Sequence, residues 1–290
     1  MTLRYIFHSG FLLETERCIL VFDYWMDPTD VMREYLHTSK KVYVFASHFH
    51  EDHFAKEIFS WKESIQDITY ILSKDILKRR RAQKDDADVW MAKGSVWEDE
   101  NVKVTATGSN DSGVSWVVET DGKTIFHAGD LCNWYARFLA DGAPEGEPTE
   151  RGQKRARSVS AESRQRKTNC QIYSEEFGWI DPVKEEKIFL GELKDVARLM
   201  QEHSTPRPLR ERSGEGPLID LVMFPIDGRI GNGYTLGGRQ FIERFKVGMF
   251  VPMHFVASGF ESAWRMESFC QEKDIPFWCI KKEGDYIQIE

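Results

Sequence analysis

Apolar positions in this chain come mostly in short runs of strand length, separated by polar stretches. Residues 3–7 and 18–22 are rich in aliphatic and aromatic side chains, which suit a pleated surface. They predict two strands, with turn chemistry at Gly10 and over residues 14–17. Residues 42–46 are apolar throughout, the pattern of a strand covered on both faces of its sheet. That run ends directly on a cluster of histidines and acids. Residues 69–72, 102–106, 114–119 and 123–127 predict further strands, and Asp121-Gly122 between the last two is a strong hairpin signal. Helical spacing predicts helices over 54–65, where Phe54, Ile58, Phe59 and Trp61 form an imperfect stripe, and over 75–82, 189–203, 237–245 and 258–272. Strands are predicted over 218–224 and over 249–253, the second stopping at His254, with a closing strand region over 275–289.

Residues 141–170 break the pattern. They are poor in large apolar side chains and rich in Gly, Pro, Ser, Arg and Lys, so they predict a surface insertion, mobile in its middle, in an otherwise single domain of 290 residues. A polar loop is predicted over 205–217. Strands in both halves, helices between them, and histidines and acids where strands end give the layout of a layered α/β protein. Its site is expected along one edge of its sheets.

Composition narrows the class. With 41% hydrophobic and 30% charged residues, the chain has the balance of a folded enzyme with a sizeable core. A formal net charge of −8 disfavours nucleic acid and acidic membrane surfaces as partners. The basic stretch within 151–167 is therefore read as a solvated loop rather than an RNA contact. The five cysteines are scattered without a Cys-x-x-Cys pair, which suggests neither a disulfide framework nor a thiolate zinc site. No apolar run reaches the roughly 18 residues of a membrane span, and the first residues lack the features of a secretory signal. A reduced, cytoplasmic enzyme acting on a small molecule is expected.

The chemistry concentrates in Ser47-His48-Phe49-His50-Glu51-Asp52-His53. Three of the chain's eight histidines fall within six positions, beside an aspartate. Imidazole and carboxylate are good ligands for zinc, and for iron and manganese. Alternate residues of an extended backbone point the same way, so His48 and His50 can grip one ion, while Asp52 and His53, beyond the bend, can face a second. One or two divalent metals are the expected cofactor, zinc foremost.

This His-x-His-x-Asp-His phrase after an apolar strand resembles the signature of the metallo-β-lactamase superfamily. Phe126-His127-Ala128-Gly129-Asp130 is similar to the family strand whose last Asp bridges the metals. Pro252-Met253-His254-Phe255 is similar to the strand carrying the last metal histidine, and the opening from Phe7 to Asp23 resembles the family's N-terminal strands. The resemblance covers nearly the whole chain except residues 141–170. It implies an α/β fold, a four-layer αββα sandwich with the site between the two sheets, and metal ligands at His48, His50, Asp52, His53, Asp130 and His254. The His-Ala-Gly-Asp phrase brings the chain nearest to the branch that includes ascorbate-6-phosphate lactonase-like hydrolases.

The resemblance has a gap. Family members supply a further histidine before the bridging Asp, where this chain reads Thr107-Gly108-Ser109-Asn110-Asp111-Ser112-Gly113. Asn110 and Asp111 are the candidate replacement ligands, and the half built on His48 and His50 is the doubtful one. His8, Trp134, Asp227 and Arg229 are candidates for substrate binding. Arg229 offers a fork for phosphate or carboxylate that Asp227 can hold, or else the pair simply fixes its loop. His127 and Cys132 are read as structural. The resemblance implies a metal-dependent hydrolase that turns an activated hydroxide on a small ester, lactone or phosphodiester, with Asp52 ligating and orienting the water. The alternatives are a nuclease of the same fold and a metal-binding protein without turnover.

Overall fold

The computed structural model describes residues 1–139, 172–174, 178–205, 217–256 and 259–290. The expected insertion, with its basic stretch, and most of the expected loop at 205–217 lie outside the described residues.

The strands are β1 (Thr2–Phe7), β2 (Gly10–Glu14), β3 (Cys18–Phe22), β4 (Lys41–Ala46), β5 (Ile68–Ser73) and β6 (Val89–Met91), then β7 (Val96–Glu98), β8 (Lys103–Gly108), β9 (Val114–Thr120) and β10 (Lys123–His127). After them come β11 (Ile172–Ser174), β12 (Gly178–Ile180), β13 (Leu218–Ile219), β14 (Leu221–Pro225), β15 (Lys246–Val247), β16 (Phe250–Met253) and β17 (Tyr286–Gln288). A seven-stranded sheet runs β17-β1-β2-β3-β4-β5-β6 and a six-stranded sheet β16-β14-β10-β9-β8-β7, with β11/β12 and β13/β15 as small pairs.

Side-chain alternation explains how the sheets stack. In the first sheet Leu20, Phe22, Tyr43 and Phe45 join the core shared with the second sheet. Ile19, Val21, Val42 and Val44 face the other way, into a separate cluster with Ile58, Trp61 and Ile76. A strand with both faces covered reads as unbroken apolar sequence, as residues 42–46 do. The helices are α1 (Lys74–Lys78), α2 (Pro182–His203), α3 (Leu236–Ile242), α4 (Phe260–Ala263) and α5 (Met266–Glu272). Asp181 caps α2 by accepting the Lys184 N–H. Phe189, Leu193 and Val196 of α2 and Phe241 of α3 bury themselves in the core of the second sheet. The order is helix, sheet, sheet, helix.

Both sheets are mixed, and their parallel strands position the site. β3, β4, β5 and β6 are mutually parallel, as are β10, β14 and β16. Asp23, the loop 47–53, Asp130, Asp227 and His254 all follow the carboxyl ends of these strands, where open α/β sheets gather ligands.

Several local expectations change. Gly10 begins β2 rather than serving as the turn; the reversal is made by His8 and Ser9, with His8 at φ 56°. Residues 54–65 hold a 3₁₀ helix at Lys56–Glu63. The strand over 218–224 is broken at Asp220, whose N–H donates to the Thr124 carbonyl while its carboxylate accepts the Thr124 N–H. The helix expected over 258–272 is two short ones, α4 and α5, with Trp264 between them donating its indole N–H to the Ile280 carbonyl. The strands β6 and β7 were not expected.

Candidate metal centre

Two glycines let the second sheet press against the histidine loop. Gly113 (φ +65°) and Gly129 (φ +53°) both lie against Ser47, where an added Cβ at Gly113 would collide with the Ser47 carbonyl and come within 2.5 Å of His48 Cβ. Both backbones are in the region that side chains disfavour. Gly113→Ala is therefore expected to lower the thermal unfolding midpoint by several degrees and to weaken metal retention through displaced His48. An unchanged midpoint would show the loop to be more yielding than its packing implies. At the far edge His254 (φ 68°) donates its N–H to the His8 carbonyl, joining the end of β16 to the end of β1 across the two sheets.

Asp130 is the centre of the arrangement. His48 Nε2 lies 3.0 Å from its Oδ2, while His53 Nε2 and His254 Nε2 lie 3.0 and 3.2 Å from its Oδ1. His50 Nδ1 is 4.0 Å from Oδ2 and the side chain is 41% exposed. His48 Nε2, His53 Nε2 and Asp130 Oδ1 are buried and yet make no hydrogen bond. Donor atoms within 4.8 Å of one another form the groups His48, His50, Asp130 and His8, Asp52, His53, His254. A third group, Asp23, His48, His53, is the hydrogen-bonded support described next.

The outer nitrogens fix which form each ring takes. His53 Nδ1 lies 2.7 Å from Asp23 Oδ2, and His254 Nδ1 lies 2.9 Å from Asp227 Oδ2. Carboxylates only accept, so both rings carry their proton on Nδ1. Ser47 donates its Oγ–H to Asp23 and so accepts from His48 Nδ1 at 2.9 Å. In its neutral form each of the three rings thus turns an Nε2 lone pair toward the Asp130 carboxylate. Lone pair against carboxylate at 3.0 Å is repulsive unless a positive charge sits between them. Two donors held about 2.0–2.2 Å from one divalent ion stand at this same separation, so the residues present fit a bound cation.

The electrostatics agree. Burial would push Asp130 up, but His53, His48 and His254 hold its carboxyl well below the usual range. His53 and His254 are raised although burial opposes it, chiefly by Asp130. His50 is raised by its Asp130 contact. The centre attracts positive charge, whether proton or metal.

The other candidates separate. Asp52, 35% exposed, has Oδ2 3.1 Å from His8 Nε2. Asp227 takes Arg229 through Nε and Nη2 as well as His254. These partners overcome burial and hold its carboxyl down at about 2, so this support is complete above pH 4 and is lost only as pH falls toward 2. Trp134 meets His254 edge-on at 4.9 Å and donates its indole N–H to the Asp130 carbonyl. Asn110 is fully engaged, donating to the Cys132 carbonyl and accepting the Cys132 N–H. Asp111 is in neither convergent group, although desolvation and the Asp130 charge raise its carboxyl. His127 is bound to the Ser9 carbonyl and stacked on Phe22, and burial pushes the Cys132 thiol up. Asp23, which supports two of the histidines, was not among the candidates; an apolar strand closing on a lone aspartate was its signal. Trp25, edge-on to His8 at 5.8 Å, had none.

No protein-family model and no curated protein matches the sequence. Solved structures resemble it throughout. A metallo hydrolase from the hyperthermophilic archaeon Ignicoccus hospitalis aligns with a TM-score of 0.56 at 14% identity, over 100% of this chain and 99% of that one. A possible metal-dependent hydrolase from Veillonella parvula gives 0.52 at 10% identity over 99% and 98% of the two chains. The metallo-β-lactamase fold protein YhfI from Bacillus subtilis gives 0.50 at 11% over 99% and 100%. At such identities the likeness is one of architecture, and the fold of this chain is the metallo-β-lactamase αββα sandwich. No helix among the described residues is long and apolar enough to cross a membrane.

Proposed function

We propose that this protein is a metal-dependent hydrolase of small ester, lactone or phosphodiester substrates. The observation that carries the reading is the set of Nε2 lone pairs on His48, His53 and His254 converging on Asp130 without hydrogen bonds to it. His48, His50 and Asp130 would hold a first ion; Asp52, His53, His254 and the shared Asp130 would hold a second. When bound, the ions polarise a carbonyl or phosphoryl oxygen and lower the pKa of water. Asp52, about a third exposed, would orient that water. Asp227 and Arg229 hold His254 from behind, and Arg229, with 57% of its side chain exposed, is placed to receive a substrate anion. Trp134 walls the His254 side. The His127-Ala128-Gly129-Asp130 phrase and this arginine support a small, polar, anionic substrate of the lactonase-like kind.

The second half is the better furnished, because the segment 107–113 brings no carboxylate or imidazole into the His48, His50, Asp130 group. Zinc, manganese and iron all suit such donors. Protein purified without chelator is expected to cleave bis-p-nitrophenyl phosphate or members of a lactone panel, with Asp52→Ala as the blank. Asp52→Ala should lose the tightly held metal while His48→Ala retains it. Retention by Asp52→Ala and loss by His48→Ala would overturn the assignment, and metal-loaded protein inert on every substrate would favour a binder without turnover.

A further inference from the structure

His8 stands apart from the ligands that the resemblance implies, yet the fold commits it to the centre. The register of β1 shifts between Tyr5 and Phe7, and His8 follows at φ 56°. Such a backbone costs a residue with a side chain of order 1–3 kcal/mol and persists only where its surroundings over-determine it. Here they do. The His8 N–H donates to the Tyr5 hydroxyl at 2.8 Å, and its carbonyl accepts the His254 N–H at 3.1 Å. The side chain is 1% exposed. Its ring lies 4.3 Å from that of His254 and 5.4 Å from that of His53. Nε2 is 3.1 Å from Asp52 Oδ2, and Nδ1 is buried with no partner at all. One ring nitrogen of His8 converges with donor atoms of Asp52, His53 and His254 within 4.8 Å of one another, an arrangement that a divalent cation between them would satisfy.

We propose that His8 is an additional ligand of the second metal, giving that half His8, Asp52, His53, His254 and the shared Asp130. The inference rests on the metal-centre reading above and extends it to a residue outside that ligand set. Five nitrogen and oxygen donors exceed the four of a tetrahedral zinc site. The half therefore suits a divalent cation that accepts five or six such donors. The ligand count shifts from the first half, which lacks its histidine, to the second, which gains one.

The test uses cobalt(II) as the probe ion in the full chain. Cobalt-loaded parent protein is compared with His8→Asn, a replacement that tolerates the left-handed backbone, by proton NMR and by chelator competition. The parent should show paramagnetically shifted imidazole resonances from five histidines at saturation. His8→Asn should lack one set, and its tighter site should bind cobalt on the order of 100-fold more weakly or worse, beyond the roughly 10–100-fold that the loss of a group merely orienting a ligand costs. Four sets in the parent, unchanged in the variant, would overturn the ligand assignment even with hydrolysis intact. The parent count decides the matter by itself if the variant fails to fold. Five sets in a protein that hydrolyses nothing would leave the ligand standing and remove the hydrolase reading.

Discussion

An Asp130→Ala variant is expected to emerge from chelator-free purification with only a trace of metal, and with turnover reduced roughly 10³-fold or more, the kinetic equivalent of the several kcal/mol that an electrophilic cation supplies. The reason is position. Among the described residues Asp130 is the one carboxylate within 3.2 Å of His48, His53 and His254 at once, so its loss would remove a donor from both proposed halves together. The fold should not suffer in proportion. Even without metal the carboxylate contributes, because His53, His48 and His254 hold it well below its usual range and it raises His53 and His254 in return, although its burial offsets part of that gain. Compared without metal, the variant should therefore melt moderately below the parent. Metal analysis, turnover of bis-p-nitrophenyl phosphate and thermal unfolding test this together. A variant that keeps both ions would show Asp130 to be a bystander, and a metal-free variant far less stable than the metal-free parent would make it a structural residue.

Asp23→Ala is expected to do the reverse, damaging the fold first and the metal centre through it. Asp23 is fully buried and accepts from the Ser47 N–H at 2.7 Å, the Ser47 hydroxyl at 2.6 Å and His53 Nδ1 at 2.7 Å. Removing it strands three buried donors, each worth about 1–3 kcal/mol when left unpaired. Several kcal/mol is a large share of a typical domain stability of about 5–15 kcal/mol, so the denaturation midpoint should fall sharply. Metal affinity should fall as well, because His53 loses its tautomer and His48 loses Ser47 as a fixed partner. Although burial opposes it, the neighbouring histidines hold the Asp23 carboxyl below its ordinary value. The stability it contributes is thus present above about pH 4 and is lost as pH falls through its lowered value. Denaturant unfolding of parent and variant at pH 7 and near pH 3 measures this. The gap should be wide at neutrality and narrow in acid; equal stability at pH 7 would contradict it.

These two aspartates mark where sequence reading succeeds and where it stops. Asp130 could be found because it sits in a phrase, after a strand and a Gly turn, that resembles a known ligand motif. Asp23 offered only an apolar run ending in an acid, and its value comes from Ser47 and His53, 24 and 30 residues away. The gap at 107–113 was legible as a missing histidine. That Asn110 is spent on the Cys132 backbone was not, because amide partners depend on how β8 and the turn after β10 pack. His8 was legible only as a candidate for substrate binding, and the β1 register shift that precedes it leaves no mark on the hydrophobic pattern.

By itself the sequence determined the strands whose two faces are both covered, the α/β layering, and the loop in which metal-ligating residue types gather, since periodicity and close spacing are local properties of the chain. The tertiary structure alone decided that β1, β4, β10 and β16 end at one edge, that Nδ1 protons are claimed by Asp23, Ser47 and Asp227, and that the His8 ring lies against His53 and His254. Those outcomes depend on strand order and on the direction of side chains far apart in the chain, which no local pattern encodes.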